Sequence, residues 1–183
     1  MGKDVENPSY KSLYVNETRG VFGIGAAVHF APSSSSSSFK RLVAIQAVRK
    51  KVGYQIQVRA DANRNWTYEE AIQFGSSVKD CDLQYLEEPV QNEGDIIRFC
   101  EESGLLVALD ETIDSIREHP LDKLDETVIK PSVVGGFENT AIITRWAQQH
   151  QKMAVVSAAF ESGLGLSAYS VLLLSQPEEF RNL

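Results

Sequence analysis

Four charged side chains recur in matching surroundings along the middle of the chain. They are Asp61 in Arg59-Ala60-Asp61-Ala62-Asn63, Glu87 in Leu86-Glu87-Glu88-Pro89, Asp110 in Leu109-Asp110-Glu111-Thr112 and Lys130 in Ile129-Lys130-Pro131-Ser132. Each follows a short apolar run of strand character and precedes polar or helix-like sequence. The steps of 26, 23 and 20 residues between them suit one strand-helix unit of a parallel α/β protein. Three carboxylates converging on one mouth cannot all stay ionised without a cation, because like charges in a confined site raise one another's pKa. All-oxygen ligation with room for substrate oxygens suits Mg²⁺ or Mn²⁺, and such an ion stabilises a developing enolate as a Lewis acid. Lys130, one strand further round, is suited to partner the oxyanion. Taken singly, each carboxylate reads as a helix N-cap or solvated loop residue and Lys130 as a surface lysine. Recurrence at four successive strand ends is what makes them a candidate site.

The elements that must position these groups follow from pattern and punctuation. Leu42, Ile45, Val48 and Val52 recur at helical spacing before Gly53, a C-cap. Gln55–Arg59 alternates as a strand whose chain exits at Asp61. Thr67 and Glu70 form a capping box that opens a helix through about Val78. Then come strand Leu83–Leu86, helix Asp95–Glu102 stopped by Gly104, and the buried-type strand Leu105–Leu109. Ile113–Asp125, broken by Pro120, reads as a shortened helix or loop. Thr127–Ile129 is a strand, Asn139–Gln149 a helix, Ala154–Ser157 a strand, and Leu164–Leu174 an apolar helix expected to pack deeply.

This alternation predicts an α/β fold with a parallel sheet covered by helices, closed as a doubly wound sheet or as part of a (β/α)₈ barrel. No Gly-x-Gly-x-x-Gly or P-loop follows the first strand, which weakens the nucleotide-binding version. Charged residues at strand C-termini favour the barrel, where such folds build active sites. A complete barrel takes about 250 residues, and five strands are readable here. The expectation is a partial (β/α) TIM-like barrel over 39–183. Residues 1–38 form a divergent segment, expected to be poorly ordered; within it Val21–Phe30 is a small-residue apolar patch, a strand or a buried turn, and the segment ends in the serine run Ser33–Ser38.

Composition narrows the function classes. With 183 residues, 43% hydrophobic content and a net charge of −7, the chain reads as one soluble domain with a core. No basic cluster suggests nucleic acid, and Arg49-Lys50-Lys51 reads as charges in a helix's last turn. No apolar run approaches a membrane span, and no signal-peptide layout opens the chain. Cys81 and Cys100 have neither metal-ligand spacing nor the number for a disulfide scaffold. A reduced intracellular compartment is expected: cytoplasm, or chloroplast for a plant protein.

Around the four groups, Asn63 and Arg64 are placed to orient Asp61 or contact substrate, with an Asx-turn as the alternative. Glu88 and Glu111 directly follow candidate ligands and should point elsewhere, toward partners of those ligands. Ser157 ends the last strand, and Glu161-Ser162-Gly163-Leu164-Gly165 opens the last helix. Backbone N–H groups there suit a substrate carboxylate, and a plain helix start with packing glycines is the other reading. His29, His119 and His150 have no carboxylate or cysteine at ligand spacing and read as structural or solvated.

Arg59-Ala60-Asp61-Ala62-Asn63-Arg64, Leu86-Glu87-Glu88-Pro89, Asp110-Glu111-Thr112, Ile129-Lys130-Pro131 and Glu161-Ser162-Gly163-Leu164-Gly165 together resemble the C-terminal barrel of the enolase superfamily. Within it the chain is most similar to o-succinylbenzoate synthase, notably the form fused into a plant multifunctional protein. The resemblance covers about Phe39 to Leu183. It implies Asp61, Glu87 and Asp110 as Mg²⁺ ligands, with Mn²⁺ the other candidate, and Lys130 as the lysine that stabilises an enediolate. It implies Asn63, Ser157, Glu161, Ser162 and Gly163 as contacts for a small carboxylate substrate. The implied reaction is dehydration of a succinyl-hydroxycyclohexadiene carboxylate on the route to menaquinone or phylloquinone, beside other modules of a fused pathway protein. The family also carries a Lys-x-Lys pair on the preceding strand, the second lysine being the general base, and a capping domain. Neither is found before Phe39, so impaired catalysis is expected. The alternatives are another superfamily activity, of muconate cycloisomerase or dipeptide epimerase type, and a truncated, catalytically silent product.

Overall fold

A computed structural model of the chain describes residues 25–30, 38–112, 126–130, 132–159 and 161–174. Six strands form one sheet: β1 (Gly25–His29), β2 (Gln57–Asp61), β3 (Leu83–Glu87), β4 (Val107–Leu109), β5 (Glu126–Ile129) and β6 (Met153–Val156). They lie in chain order, every neighbouring pair parallel. Helix α1 (Ser38–Val52) joins β1 to β2, α2 (Tyr68–Ser77) joins β2 to β3, and α3 (Ile96–Ser103) joins β3 to β4. Helix α4 (Phe137–Gln149) joins β5 to β6, and α5 (Gly163–Leu174) follows β6. A parallel sheet in chain order with a helix in each described crossover is an arc of a (β/α) barrel. The same order rules out a doubly wound sheet, whose strand order reverses at a switch point.

Local signals explain most boundaries. Thr67 caps α2 in a complete capping box, its hydroxyl taking the Glu70 N–H while the Glu70 carboxylate takes the Thr67 N–H at 3.0 Å. Gly104 ends α3 in a left-handed conformation, φ 67°, and its N–H returns to the Cys100 carbonyl. The expected loop or short helix over Ile113–Asp125 lies outside the described residues, as does the serine run except Ser38.

The sheet's two faces differ. Ala26, Val28, Val58, Ala60, Leu86, Val107 and Leu109 are buried in a core with Ile45, Val48, Ala71, Phe74, Val78, Ile96, Phe99 and Ile143 of the helices. The period of two in a strand turns Ala27, His29, Arg59 and Asp61 to the opposite, concave face. Trp66 and Phe74, ring centroids 4.6 Å apart, close the mouth end of the core with Phe30.

Three findings refine the sequence expectation. First, Gly25–His29 is a strand of the sheet, so the barrel begins inside the segment assigned to 1–38. Of the two readings of the Val21–Phe30 patch the strand is the one found; pairing with β2 and burial of Ala26 and Val28 stabilise it. Second, Arg49 stands in the last turn of α1, as expected, but it is buried. Its guanidinium donates to the carbonyls of Cys81 (2.8 Å), Gly53 (2.6 Å), Ile56 (2.7 Å) and Asp82 (2.7 Å), tying together the loops that feed β2 and β3. Third, α5 is not deeply packed along the side chains described: Leu164, Leu166 and Val171 are exposed, whereas Tyr169 is buried. A mean apolar composition says nothing about whether a neighbouring element is there to cover it.

Candidate active site

Parallel strands in register deliver successive C-terminal residues to one edge of the sheet. Asp61 is the last residue of β2 and Glu87 the last of β3, directly opposite each other in the ladder. Asp110 follows β4 immediately and Lys130 follows β5. Thus the four groups picked out by spacing stand at four neighbouring strand ends. Asp61, Glu87 and Asp110 are all buried, and Lys130 is half-buried.

Each group is held differently. Asp61 Oδ1 accepts the Asn63 N–H at 2.8 Å and Oδ2 accepts from His29 Nδ1 at 2.9 Å. The turn that allows this puts Asn63 and Arg64 in the left-handed region, φ 49° and 56°. The loop is pinned to β3 by Ala62 N–H to the Glu87 carbonyl and Arg64 N–H to the Glu88 carbonyl, both 2.9 Å. Asn63 therefore orients Asp61 through its main chain, and its own side chain is exposed. The Lys130 ammonium donates to Asp110 Oδ2.

Glu87 lies between these two arrangements. Its carboxyl is pushed up to about 8, first by burial and then by the Asp61 charge, with Lys130 acting the other way. It is the acidic group for which the fold supplies least. A divalent cation near Asp61 and Glu87 would offset the burial and the Asp61 repulsion that together push the Glu87 carboxyl up. The donor set, carboxylate oxygens on adjacent strand ends, fits a hard cation. No three Asp, Glu, His or Cys side chains among the described residues form a group that could hold a metal ion; Lys130 engages Asp110 and His29 engages Asp61.

Glu88 points away from the mouth, as expected for the residue after Glu87. At φ 44° its side chain turns into the interior, where Oε1 accepts from Asp110 N–H (2.8 Å), Thr112 N–H (2.9 Å) and Thr112 Oγ1 (2.7 Å). Burial raises its pKa, and the two Thr112 bonds partly offset the rise. Its Oε2 is buried without a partner. Glu88 thereby holds the backbone on which Asp110 stands. Glu111 is exposed.

The expected substrate contacts divide. Ser157 directly follows β6, one strand beyond Lys130. Glu161 Oε1 accepts from Tyr169 OH at 2.8 Å and from Ser132 Oγ; these bonds hold its carboxyl below the usual range, with the Ser132 bond the largest cause. Ser162 acts as the cap of α5, its Oγ taking the Gly165 N–H at 3.3 Å. Gly163 opens the helix in free space, where a Cβ would meet nothing. Beside Glu161, a shallow pocket of about 220 Å³ is lined by Ser132, Gly136, Phe137 and Tyr169.

His29 is a correction. Sequence spacing isolates it from any carboxylate, but the β1–β2 register sets it against Asp61. The pair is 32 residues apart in the chain, so no local motif could reveal it. His150 stays structural: its Nδ1 donates to the Trp146 carbonyl at 2.8 Å. His119 lies outside the described residues.

Comparison with known proteins agrees with this geometry. Residues 27–181 match the family model described as Enolase C-terminal domain-like. Over 141 residues, 73% of this chain and 8% of the relative, the sequence is 61% identical to Protein PHYLLO, chloroplastic, of Arabidopsis thaliana. It is 34% identical over 121 residues to o-succinylbenzoate synthase of Pasteurella multocida, covering 61% of this chain and 36% of that one. The fold superposes with a TM-score of 0.71 on a dipeptide epimerase from Cytophaga hutchinsonii complexed with Mg and a dipeptide. That match has 23% identity and covers 82% of this chain and 42% of the epimerase. The chain spans about a third of the length of the bacterial synthase and a small part of PHYLLO. No helix among the described residues is long and apolar enough to cross a membrane.

Proposed function

The chain belongs to the Enolase C-terminal domain-like family, and from that premise we propose that it is a Mg²⁺-dependent lyase of the o-succinylbenzoate synthase type, impaired in proton abstraction. The observation that carries this reading is the row of strand-end residues: two opposed buried carboxylates, a third on the next strand, and a lysine beyond it.

Asp61, Glu87 and Asp110 would hold the ion. When bound there, a divalent cation supplies charge neutralisation for a substrate carboxylate and so acidifies the carbon beside it. Lys130 reaches the same mouth and fixes Asp110. Asn63 fixes the orientation of Asp61, and Glu88 fixes the strand end that carries Asp110. The pocket beside Glu161 offers an apolar wall for the rest of a small carboxylate substrate. Impairment follows from β1: the residues sharing a face with Asp61 are Ala27 and His29, neither a lysine. A missing positioned base costs roughly 10² to 10⁴-fold in rate.

The likeness to PHYLLO supports activity as one module among others of a quinone-pathway protein in the chloroplast. The test is to purify the chain, titrate Mg²⁺ and follow conversion of the succinyl-hydroxycyclohexadiene carboxylate by absorbance, with Lys130→Ala as control. The expected result is a Mg²⁺-dependent rise in Tm that Asp61→Asn removes. Slow turnover that Lys130→Ala abolishes should accompany it. A Tm indifferent to millimolar Mg²⁺ overturns the reading.

A further inference from the structure

The turn that follows Lys130 is tied at both ends to the next strand–helix unit. The Val133 and Val134 N–H groups return to the Lys130 carbonyl at 2.9 and 3.0 Å, so the chain beyond β5 closes on the lysine itself. Ser132 rides in this turn, and its Oγ donates to Glu161 Oε1 across 29 residues of sequence. At the far end Phe137 opens α4 and meets the Tyr169 ring edge-on, centroids 6.0 Å apart. Tyr169 is buried on α5, and its OH donates to the same Glu161 Oε1 at 2.8 Å. Resting on the reading in which Lys130 serves the chemistry, we propose that Glu161 is a positioning residue for Lys130 rather than a substrate contact.

Neither carboxylate oxygen is open to a substrate. Oε1 receives two hydroxyls, which take up its two lone pairs. Oε2 is buried without a partner and presents no surface at the mouth. The two hydroxyls hold the carboxyl below the usual range, and an ionised Glu161 repels a substrate carboxylate instead of binding it. Bonds to an ionised acceptor are the stronger kind, so the group is well suited to hold its two donors together.

Lys130 has use for such a tie. Its four-carbon stem is flexible, and its ammonium donates to Asp110 Oδ2 on the neighbouring strand end. The turn beyond it holds two glycines at positive φ, Gly135 at 92° and Gly136 at 106°, which let the chain curve back and leave it free to flex. Glu161 supplies stiffness from outside the turn. A misplacement of about 1 Å at a reacting group costs about 10²-fold in rate.

Two readouts on the purified full chain separate positioning from substrate contact. The first needs no turnover: limiting lysine acetylation in EDTA, read by mass spectrometry as the rate at Lys130 relative to the exposed Lys50. Glu161→Ala should raise that ratio about fivefold or more, the worth of about one hydrogen bond. Ser132→Ala/Tyr169→Phe leaves the carboxylate in place and should raise it equally. Glu161→Gln keeps an accepting oxygen and should stay within about twofold of wild type. The second readout is turnover of the succinyl-hydroxycyclohexadiene carboxylate. Glu161→Ala and the double variant should both lose about 10- to 100-fold in kcat with KM nearly constant, and Glu161→Gln should recover most of that loss. If Glu161→Ala does not fold, the double variant carries the test. An unchanged acetylation ratio in the clamp variants overturns the proposal. A raised KM in Glu161→Ala that the double variant does not share also overturns it, because Glu161 would then touch substrate. A wild-type chain without turnover overturns the lyase reading, and the acetylation ratio still decides whether Glu161 holds Lys130.

Discussion

Glu88 offers a sharp check on how the site is held. Its Oε1 accepts three bonds, from Asp110 N–H, Thr112 N–H and Thr112 Oγ1, at 2.8, 2.9 and 2.7 Å. Asp110 and Thr112 are themselves buried, so water cannot replace a lost acceptor. In Glu88→Leu three donors are orphaned, each costing about 1–3 kcal/mol. Removing Oε2, already unpartnered, returns part of that, and leucine keeps most of the volume. A net loss of about 3–5 kcal/mol is expected, a large share of a typical domain's stability. Glu88→Gln keeps the accepting oxygen and swaps the unpartnered one for an amide nitrogen, so its loss should stay near 1 kcal/mol. Because burial raises the Glu88 pKa, the neutral amide also imitates the form that the interior prefers. Urea denaturation followed by circular dichroism at neutral pH measures both. The Mg²⁺-induced rise in Tm, read in parallel, should shrink in Glu88→Leu because Asp110 loses its anchor. If Leu and Gln variants are equally stable, or equally damaged, the acceptor oxygen is not what holds the β4 end.

Two further outcomes follow from the same geometry. Glu87 has its pKa raised from 4.5 to about 8 in the folded chain, so above pH 4.5 the unfolded state gives up this proton first. Its contribution makes metal-free stability fall as pH rises from about 4.5 to 8, by on the order of a few kcal/mol; Glu87→Gln should flatten that part of a Tm–pH profile recorded in EDTA, and an unchanged slope would refute the assignment. Arg49→Met removes four donations to carbonyls and should cost about 3–5 kcal/mol in urea denaturation, whereas Lys50→Met, at an exposed position on the same turn, should stay within about 0.5 kcal/mol.

The strands, caps and charged row were readable because their signals are local. Thr67 and Glu70 meet across one helical turn. Gly104 reports its own φ. Asp61, Glu87, Asp110 and Lys130 each follow the apolar run that carries them to the sheet's edge. A parallel repeat turns this local regularity into a global one, so similar steps in sequence became neighbouring strand ends in space. The remaining features belong to pairs distant in the chain. His29 meets Asp61, Glu88 meets Asp110 and Thr112, and Arg49 meets Cys81 and Asp82 across gaps of 22 to 33 residues. No residue carries a mark of such a partner, since partnership depends on strand register and on which face turns inward. For the same reason the patch around Gly25–His29, readable as a strand or a buried turn, was settled as a strand only by its pairing with β2, and α5, largely apolar, is mostly uncovered along its described residues.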